Sequence, residues 1–394
     1  MPARPDRYLL TCGGISMNDL LTYMRSQQDS MVGFLRQLVN IESQTEDKTG
    51  VDEVGRLLAS RLVNLGATIS SFEQTTAGNH LLGVLGGGKG SPIAMILHMD
   101  TVHPAGTLAR RPTRIVDGCF YGPGAYDMKG SHVIAIYALR ALRALNLMPS
   151  REIRILFTSD EETGSHTSRP LIEQAARDAA LAMVMEPALP DGRLKSSRKG
   201  VGDFRVTAHG RASHAGAEHQ KGINAIHEIA LQVAKIQALT DYERGVTFSV
   251  GDIRGGGIVN VVPDRASILV DTRAATLRDA EWITRQLYGL KPLLPGAALI
   301  IEGEFNRPPM ECDAQRLSVF GKVHQIGKDI GLDIAHGPSG GGSDASFTAA
   351  IGVPTLDGFG AVGDGAHAEH EHVIISSLPE RAALCAAVLN AYTH

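Results

Sequence analysis

Three apolar runs in the sequence close on residues that bind metals or move protons. The run ending at Leu97 leads into His98-Met99-Asp100, Ile153–Thr158 leads into Ser159-Asp160-Glu161-Glu162, and Leu181–Met185 leads into Glu186-Pro187. Positions two apart in an extended chain face the same way, so Asp100 can stand behind His98. There it would accept the imidazole N–H and make the other ring nitrogen a better ligand. Adjacent carboxylates at a strand end can point differently, one holding a metal and one serving a water as general base. A carboxylate closing an apolar strand, as Glu186 does, needs a salt bridge or a metal ion. Asp127 follows the tight loop Gly122-Pro123-Gly124. Its two oxygens could bridge two ions, and as the residue opening a helix it would equally serve as an N-cap. Near the C-terminus Gly365–Val373 alternates His367, His370 and His372 with Glu369 and Glu371.

Each feature alone has a plain reading: a surface histidine, a solvated acidic turn, a salt bridge, a helix cap, a polar loop. Together they supply two histidines, an aspartate and two glutamates, with a glutamate to spare. That is enough for two ions sharing Asp127, a general base, and open positions for water and substrate. With no cysteine in the set, a hard or borderline metal is expected, zinc first, with cobalt or manganese as alternatives.

The elements that would position these residues follow from apolar spacing. Helical patterns cover about Asn18–Asn40, in two blocks, and Val51–Leu65, with Gly66 as a stop. Short apolar runs at His80–Leu85, Ile93–Leu97, Ile153–Thr158 and Leu181–Met185 alternate with helical stretches such as Met128–Leu145. This predicts an α/β fold with a largely parallel sheet covered on both faces. Ligands gather at the carboxyl ends of strands in such sheets. Between about Gly202 and Gly303 the order is β-α-β-β-α-β, that of a ferredoxin-like domain, which holds Trp282, the single tryptophan, as a packing residue. The outer pattern resumes after Pro309, with helices near Gln315–Ile330 and Pro379–Ala391. The expected organisation is therefore a first catalytic segment (1–200), an inserted α+β domain (201–309) and a second catalytic segment (310–394).

Composition narrows the function class. The 394 residues carry 38 Lys and Arg against 42 Asp and Glu, a net charge of −4, which argues against a nucleic-acid partner. No apolar stretch approaches the ~20 residues that span a bilayer. Cys12, Cys119, Cys312 and Cys385 form no C-x-x-C pair and are expected to be free thiols, mostly buried, in a reducing compartment. The stretch from Tyr8 to Ile15 is broken by Gly13 and Gly14 and makes a poor signal peptide, so a cytoplasmic location is the default. Residues before Met17 are expected to be a tail or an upstream start. A nicotinamide-binding turn is a poor reading, because Gly86-Gly87-Gly88 leads into another strand rather than a helix.

As a set, the motifs resemble the dinuclear zinc metallopeptidase family that includes glutamate carboxypeptidase, acetylornithine deacetylase, succinyl-diaminopimelate desuccinylase and aminoacylase. They are His98-Met99-Asp100-Thr101-Val102, Gly122-Pro123-Gly124 with Asp127-Met128-Lys129-Gly130, Asp160-Glu161-Glu162-Thr163-Gly164, Met185-Glu186-Pro187, Ala212-Ser213-His214-Ala215-Gly216, and His367 with Glu371 and Val373. The resemblance runs from about Leu35 to the last helix. Ser131, where the family often has glycine, and Leu97 before the histidine depart from the pattern without removing a ligand.

The resemblance implies the roles. Asp127 is the bridging carboxylate, His98 and Glu186 hold one zinc, and Glu162 and His367 hold the other. His367 is preferred to His370 and His372 because Glu371 and Val373 keep the family's register after it. Glu161 matches the catalytic base and Asp100 the residue behind His98. The inserted domain matches a lid that also dimerises, with His214 reaching the partner subunit's active site and Asn260 contacting substrate. Arg273 and Arg307 are candidate clamps for a substrate carboxylate, though each alone reads as a surface salt bridge, and the backbone around Gly341 could hold an anion. Glu186 in place of aspartate, and the stretch from Gly340 to Val373, lie nearest the glutamate carboxypeptidase group. The expected activity is release of a C-terminal, acidic amino acid from a small peptide or N-acyl substrate, with an N-acyl-amino-acid deacylase as the alternative.

Overall fold

The computed structural model describes residues 17–392. The expectations for Cys12 and for the residues before Met17 lie outside the described residues. The chain divides into two compact units. Among the described residues, one takes Met17–Ser196, Asp313–Gly337 and 351–392; the other takes Ser197–Cys312 and Pro338–Ala350.

The first unit is built on a mixed six-stranded sheet. Its strands are β1 (Thr68–Phe72), β2 (His80–Leu85), β3 (Ile93–His98), β4 (Ile153–Thr158), β5 (Leu181–Val184) and the short Thr355–Leu356. The spatial order is β1-β2-β4-β3-β5 and then Thr355–Leu356. β4, β3, β5 and Thr355–Leu356 run parallel; at one side β2 runs against β4, and β1 pairs antiparallel with β2. Every residue of β3 and β5 is buried, which is why these strands read as unbroken apolar runs. β1 is half exposed and carries Ser70 and Ser71, so it lacks that signal.

The helices Gly130–Ala144 and Ser377–Ala391 pack on one another and are buried nearly all round. The helical pattern over Asn18–Asn40 is two helices, Met17–Ser26 and Gln28–Val39, broken at Gln27. Helix Lys48–Asn64 is capped by Asp47, whose side chain accepts the N–H of Gly50. The stretch expected to be helical from Met128 begins instead at Gly130, after a distorted turn over Ala125–Lys129 in which Asp127 and Met128 have non-helical dihedrals. A small antiparallel sheet of Arg114–Val116, Cys119–Tyr121, His372–Ile374 and Gly363–Asp364 stands apart from the main one. Its strands are only two or three residues long and leave no period to read.

The second unit has the β-α-β-β-α-β order. Strands β6 (Gly200–His209), β7 (Thr247–Gly255), β8 (Arg265–Ala274) and β9 (Ala298–Arg307) form an antiparallel sheet in the order β7-β8-β6-β9. Helices Ala225–Gln237 and Leu277–Tyr288 are capped by Asn224 and Thr276. Trp282 packs edge-on against Phe248 with the Arg244 guanidinium 4.5 Å from the centre of its ring, the packing role expected of it. The thiols differ from expectation: Cys385 is buried, but Cys119 is half-buried and Cys312 exposed, because the latter sits in the turn after β9 rather than on an apolar face. Among the described residues no helix is long and apolar enough to cross a membrane.

One buried cation braces the edge of the main sheet. Arg381 donates to the carbonyls of Gly358, Gly360 and Gly192, and Gly360 in turn donates its N–H to the Glu186 carbonyl at 2.9 Å. Arg381→Met would leave the buried carbonyls of Gly358 and Gly360, and the half-buried one of Gly192, short of a donor. At ~1–3 kcal/mol for each buried group left unsatisfied, it is expected to destabilise the protein by at least ~2 kcal/mol in urea unfolding. A loss under ~0.5 kcal/mol, the range of an inert surface change, would contradict this role.

Candidate metal centre and active site

Strand register sets the site. His98 is level with Thr158 on β4, and Ile96 is level with Val184 on β5. Because these strands are parallel, His98, Glu186 and the Asp160–Glu162 turn all emerge at one edge of the sheet. His98 is 2% exposed. Its Nδ1 lies 3.0 Å from the Asp100 carbonyl oxygen and 3.4 Å from Asp100 Oδ1, which places the proton on Nδ1 and turns Nε2 toward the acidic cluster. Asp100 does more than stand behind His98. Its carboxylate accepts the hydroxyl of Thr45 at 2.8 Å and the backbone N–H groups of Glu161 and Glu162 at 3.3 and 3.2 Å. One buried carboxylate therefore orients the histidine and the acidic turn together.

Asp127 faces two ways. Its Oδ1 lies 3.2 Å from His98 Nε2, which is also 3.5 Å from Glu186 Oε1. Its Oδ2 lies 3.6 Å from His367 Nε2, which is 3.2 Å from Glu162 Oε2. A direct charge-assisted N–H···O bond is ~2.7–2.9 Å long, shorter than all four distances. Two donors held ~2.0–2.1 Å from a tetrahedral zinc stand ~3.3 Å apart, close to all four. Glu162 Oε1 is buried without a hydrogen-bond partner, as a ligand atom would be. Donor atoms of His98, Glu161 and Glu186 lie within 4.8 Å of one another, as do those of His98, Asp127 and Glu162. The residues therefore fit a pair of divalent ions, and three ligand carboxylates would offset most of their charge.

The electrostatics agree. Burial opposes charge on His98, yet Asp100, Asp127 and Glu186 outweigh it and raise its pKa well above the imidazole range. His367 is raised to about 10 by its contacts with Asp127 and Glu162. Burial would raise Asp127, but His367 and His98 hold it low; burial raises Glu162. His132 donates to the His98 carbonyl at 2.7 Å, and burial pushes its pKa down to about 3, so it stays neutral.

His367 has φ +65°, a conformation uncommon outside glycine, so its loop must be held by neighbours. In the sequence Glu371 serves only as a register mark. In the structure its buried carboxylate accepts the N–H groups of Gly124, Tyr126 and Asp127 at 2.8, 2.9 and 3.0 Å. These bonds, not a helix N-terminus, hold Asp127 in place. Gly124 is required there: its φ is +70°, and a Cβ would lie 2.6 Å from Thr101 Cγ2. His372 is turned away, its Nδ1 on the His370 carbonyl and its ring on Tyr121.

The remaining sequence candidates lie in the second unit. His214 is exposed, and its Nδ1 accepts the N–H groups of Gly216 and Ala217. Asn260 is joined to this loop by its carbonyl, which accepts the Ala215 N–H at 2.9 Å. Arg273 makes a two-pronged pair with Asp271, and Arg307 pairs with Asp344 at 3.2 Å. Arg307 is buried rather than on the surface. Both arginines approach Gly342, next to Gly341, whose carbonyl accepts from Arg198.

Metal binding requires neutral imidazoles, so it should expel protons from the stripped site. Calorimetry of zinc addition to chelator-treated protein at pH 7, in buffers of different ionisation enthalpy, is expected to report net proton release. The raised pKa of His367 also fixes a sign. The stability from its proton is full below the unfolded value of ~6.5 and is lost as pH rises through about 10. The melting temperature of stripped protein should fall across that window. No proton release and a flat profile would contradict the assignment.

Comparison with known proteins agrees with this geometry. Residues 94–391 match peptidase family M20/M25/M40. The chain is 30% identical over 379 residues to carboxypeptidase G2 of Pseudomonas sp. (strain RS-16), covering 94% of this chain and 91% of that protein. It is 27% identical over 367 residues to succinyl-diaminopimelate desuccinylase of Bordetella petrii, covering 89% and 94%. A tripeptidase of Staphylococcus aureus shares the fold, with a TM-score of 0.77 at 20% identity over 93% of this chain and 98% of that one. So does an M20 family metallo-carboxypeptidase of Sulfolobus solfataricus, with a TM-score of 0.70 at 16% identity over 92% and 99%. With a family match over residues 94–391 and a relative 30% identical over 94% of its length, the chain belongs to peptidase family M20/M25/M40.

Proposed function

We propose that the protein is a dinuclear zinc amide hydrolase that releases a C-terminal, acidic amino acid from a small peptide or N-acyl substrate. The observation that carries this reading is Asp127, whose two oxygens each face a separate histidine–glutamate pair. His98, Glu186 and Asp127 would hold one ion, and His367, Glu162 and Asp127 the other. Bound there, the ions would supply Lewis acidity, lowering the pKa of a water and polarising the amide carbonyl.

The chain's own residues account for the proton. Glu161 has its backbone N–H fixed by Asp100 and a carboxylate oxygen within 4.8 Å of the His98 and Glu186 donors. It takes the proton from the attacking water and delivers it to the amine nitrogen as the C–N bond breaks. His214 accepts two N–H groups at Nδ1, so its proton sits on Nε2. In this reading the partner subunit's His214 donates that proton's hydrogen bond to the developing oxyanion. Arg273 and Arg307, with Asn260 and the backbone at Gly341, would hold the substrate carboxylates.

The similarity to carboxypeptidase G2 supports release of the C-terminal residue, and the two guanidinium groups support an acidic one. The similarity to desuccinylases keeps an N-acyl-amino-acid deacylase as the second reading. Dimerisation through the second unit is supported by its exposed apolar residues. Ile253 lies on β7, an edge strand, and Ile226 and Leu231 lie on the helix Ala225–Gln237.

A panel of dipeptides and N-acyl amino acids tests the reaction. Hydrolysis should require added zinc and a free α-carboxylate, and should prefer Glu or Asp on the leaving side. Glu161→Gln is expected to lower kcat by roughly 10²–10⁴-fold while leaving zinc content unchanged. Cleavage governed by the acyl group and indifferent to the leaving residue would favour the deacylase. No zinc-dependent hydrolysis would remove support for both. For the dimer, Ile253→Asp should shift sedimentation from dimer to monomer and reduce turnover with it, since His214 would no longer reach its partner. A variant that stays dimeric would count against β7 as the interface.

A further inference from the structure

We propose that His103 and Arg111 are positioning residues that tie the loop carrying Asp127 to the loop carrying His367 and so set the second metal site. The inference rests on the two-ion reading above. His98 and Glu186 are fixed by the strands that end in them. Asp127 and His367 have no such support, since one lies in a distorted turn and the other in a loop with a left-handed backbone. What joins them is a chain of polar contacts that starts at Glu371.

Glu371 is 1% exposed, and its two oxygens take four donors. Oε1 accepts the N–H groups of Tyr126 and Asp127, and Oε2 accepts the Gly124 N–H and His103 Nε2 at 2.6 Å. The shortest of the four is the histidine. His103 Nδ1 lies 3.3 Å from Arg111 Nη2, a group that can only donate, so Nδ1 accepts and the ring proton sits on Nε2. The other arm of Arg111, Nη1, donates to the carbonyl of Ala368 at 3.2 Å, one residue past His367. Arg111 thus grips the His367 loop directly and the Asp127 loop through His103 and Glu371. None of these three side chains is among the proposed ligands. Their effect would be to hold the 3.6 Å separation of His367 Nε2 and Asp127 Oδ2. Outer partners of this kind typically change metal affinity by ~10–100-fold.

The test is zinc stoichiometry and affinity of full-length protein, by elemental analysis after dialysis and by competition with a chelator. Wild type is expected to hold two ions per chain. His103→Phe keeps the ring's bulk and removes both nitrogen contacts; Arg111→Met removes both arms from a half-buried residue. Each is expected to retain one tight ion and to bind the second ~10–100-fold more weakly. kcat should fall more than KM rises. His103→Gln, which keeps a donor and an acceptor, should recover most of the affinity. The melting temperature of chelator-stripped Arg111→Met should match that of stripped wild type, which a purely structural role would not predict. If wild type holds two ions and Arg111→Met holds both with unchanged affinity, the inference is overturned while the two-ion reading stands. If wild type holds fewer than two, the two-ion reading fails first. Should His103→Phe not fold, Arg111→Met decides alone.

Discussion

Carboxylates cannot be gathered out of water unless cations face them, and that constraint governs this protein. Asp127, Glu162 and Glu186 converge on two imidazoles at the end of a sheet in which β3 and β5 are wholly buried. Coulomb repulsion among such groups is strong where water is scarce. Left to themselves, the imidazoles respond by holding protons, hence the raised pKa values of His98 and His367. Two divalent ions meet the same demand with more charge and with a geometry that donor spacings near 3.3 Å already fit. Metal affinity and acid–base chemistry at this site would have one origin.

The scaffold answers that constraint twice over. Parallel strands deliver His98, Glu186 and the Asp160–Glu162 turn to one edge, and buried carboxylates outside the proposed ligand set hold the rest. Asp100 fastens Glu161 and Glu162 by their backbone N–H groups, and Glu371 fastens Gly124, Tyr126 and Asp127 in the same way. Each is a fully buried anion satisfied by several donors, so moving any one of them would strand a charge. A site assembled this way is rigid where the ligands stand, as chemistry that depends on sub-ångström placement requires.

Much of this was legible in the sequence, for physical reasons. Strands buried on both faces must be apolar throughout, so a histidine or glutamate at their ends stands out. The two-residue step from His98 to Asp100 carries its geometry with it. The β-α-β-β-α-β order of the second unit followed from plain amphipathic spacing. Other features could not be read. Asp127 looked like a helix cap because its true partner, Glu371, lies 244 residues away and binds it through backbone. His103 and Arg111 belong to no motif, and the groups they contact, Glu371 and the Ala368 carbonyl, lie 268 and 257 residues further along the chain. β1 is half exposed and polar, so it carried no period. The choice of His367 over His370 and His372 came from family register rather than from any local pattern.

Asp127 is proposed to bridge two metal ions, and anomalous diffraction from a zinc-soaked crystal, recorded on both sides of the zinc edge, tests that bridge most directly. Such a bridge predicts two peaks ~3.5–4 Å apart, one on each side of the Asp127 carboxylate, with His98 and Glu186 at the first and His367 and Glu162 at the second. A single peak, or a pair that leaves Asp127 bound to only one ion, would contradict it.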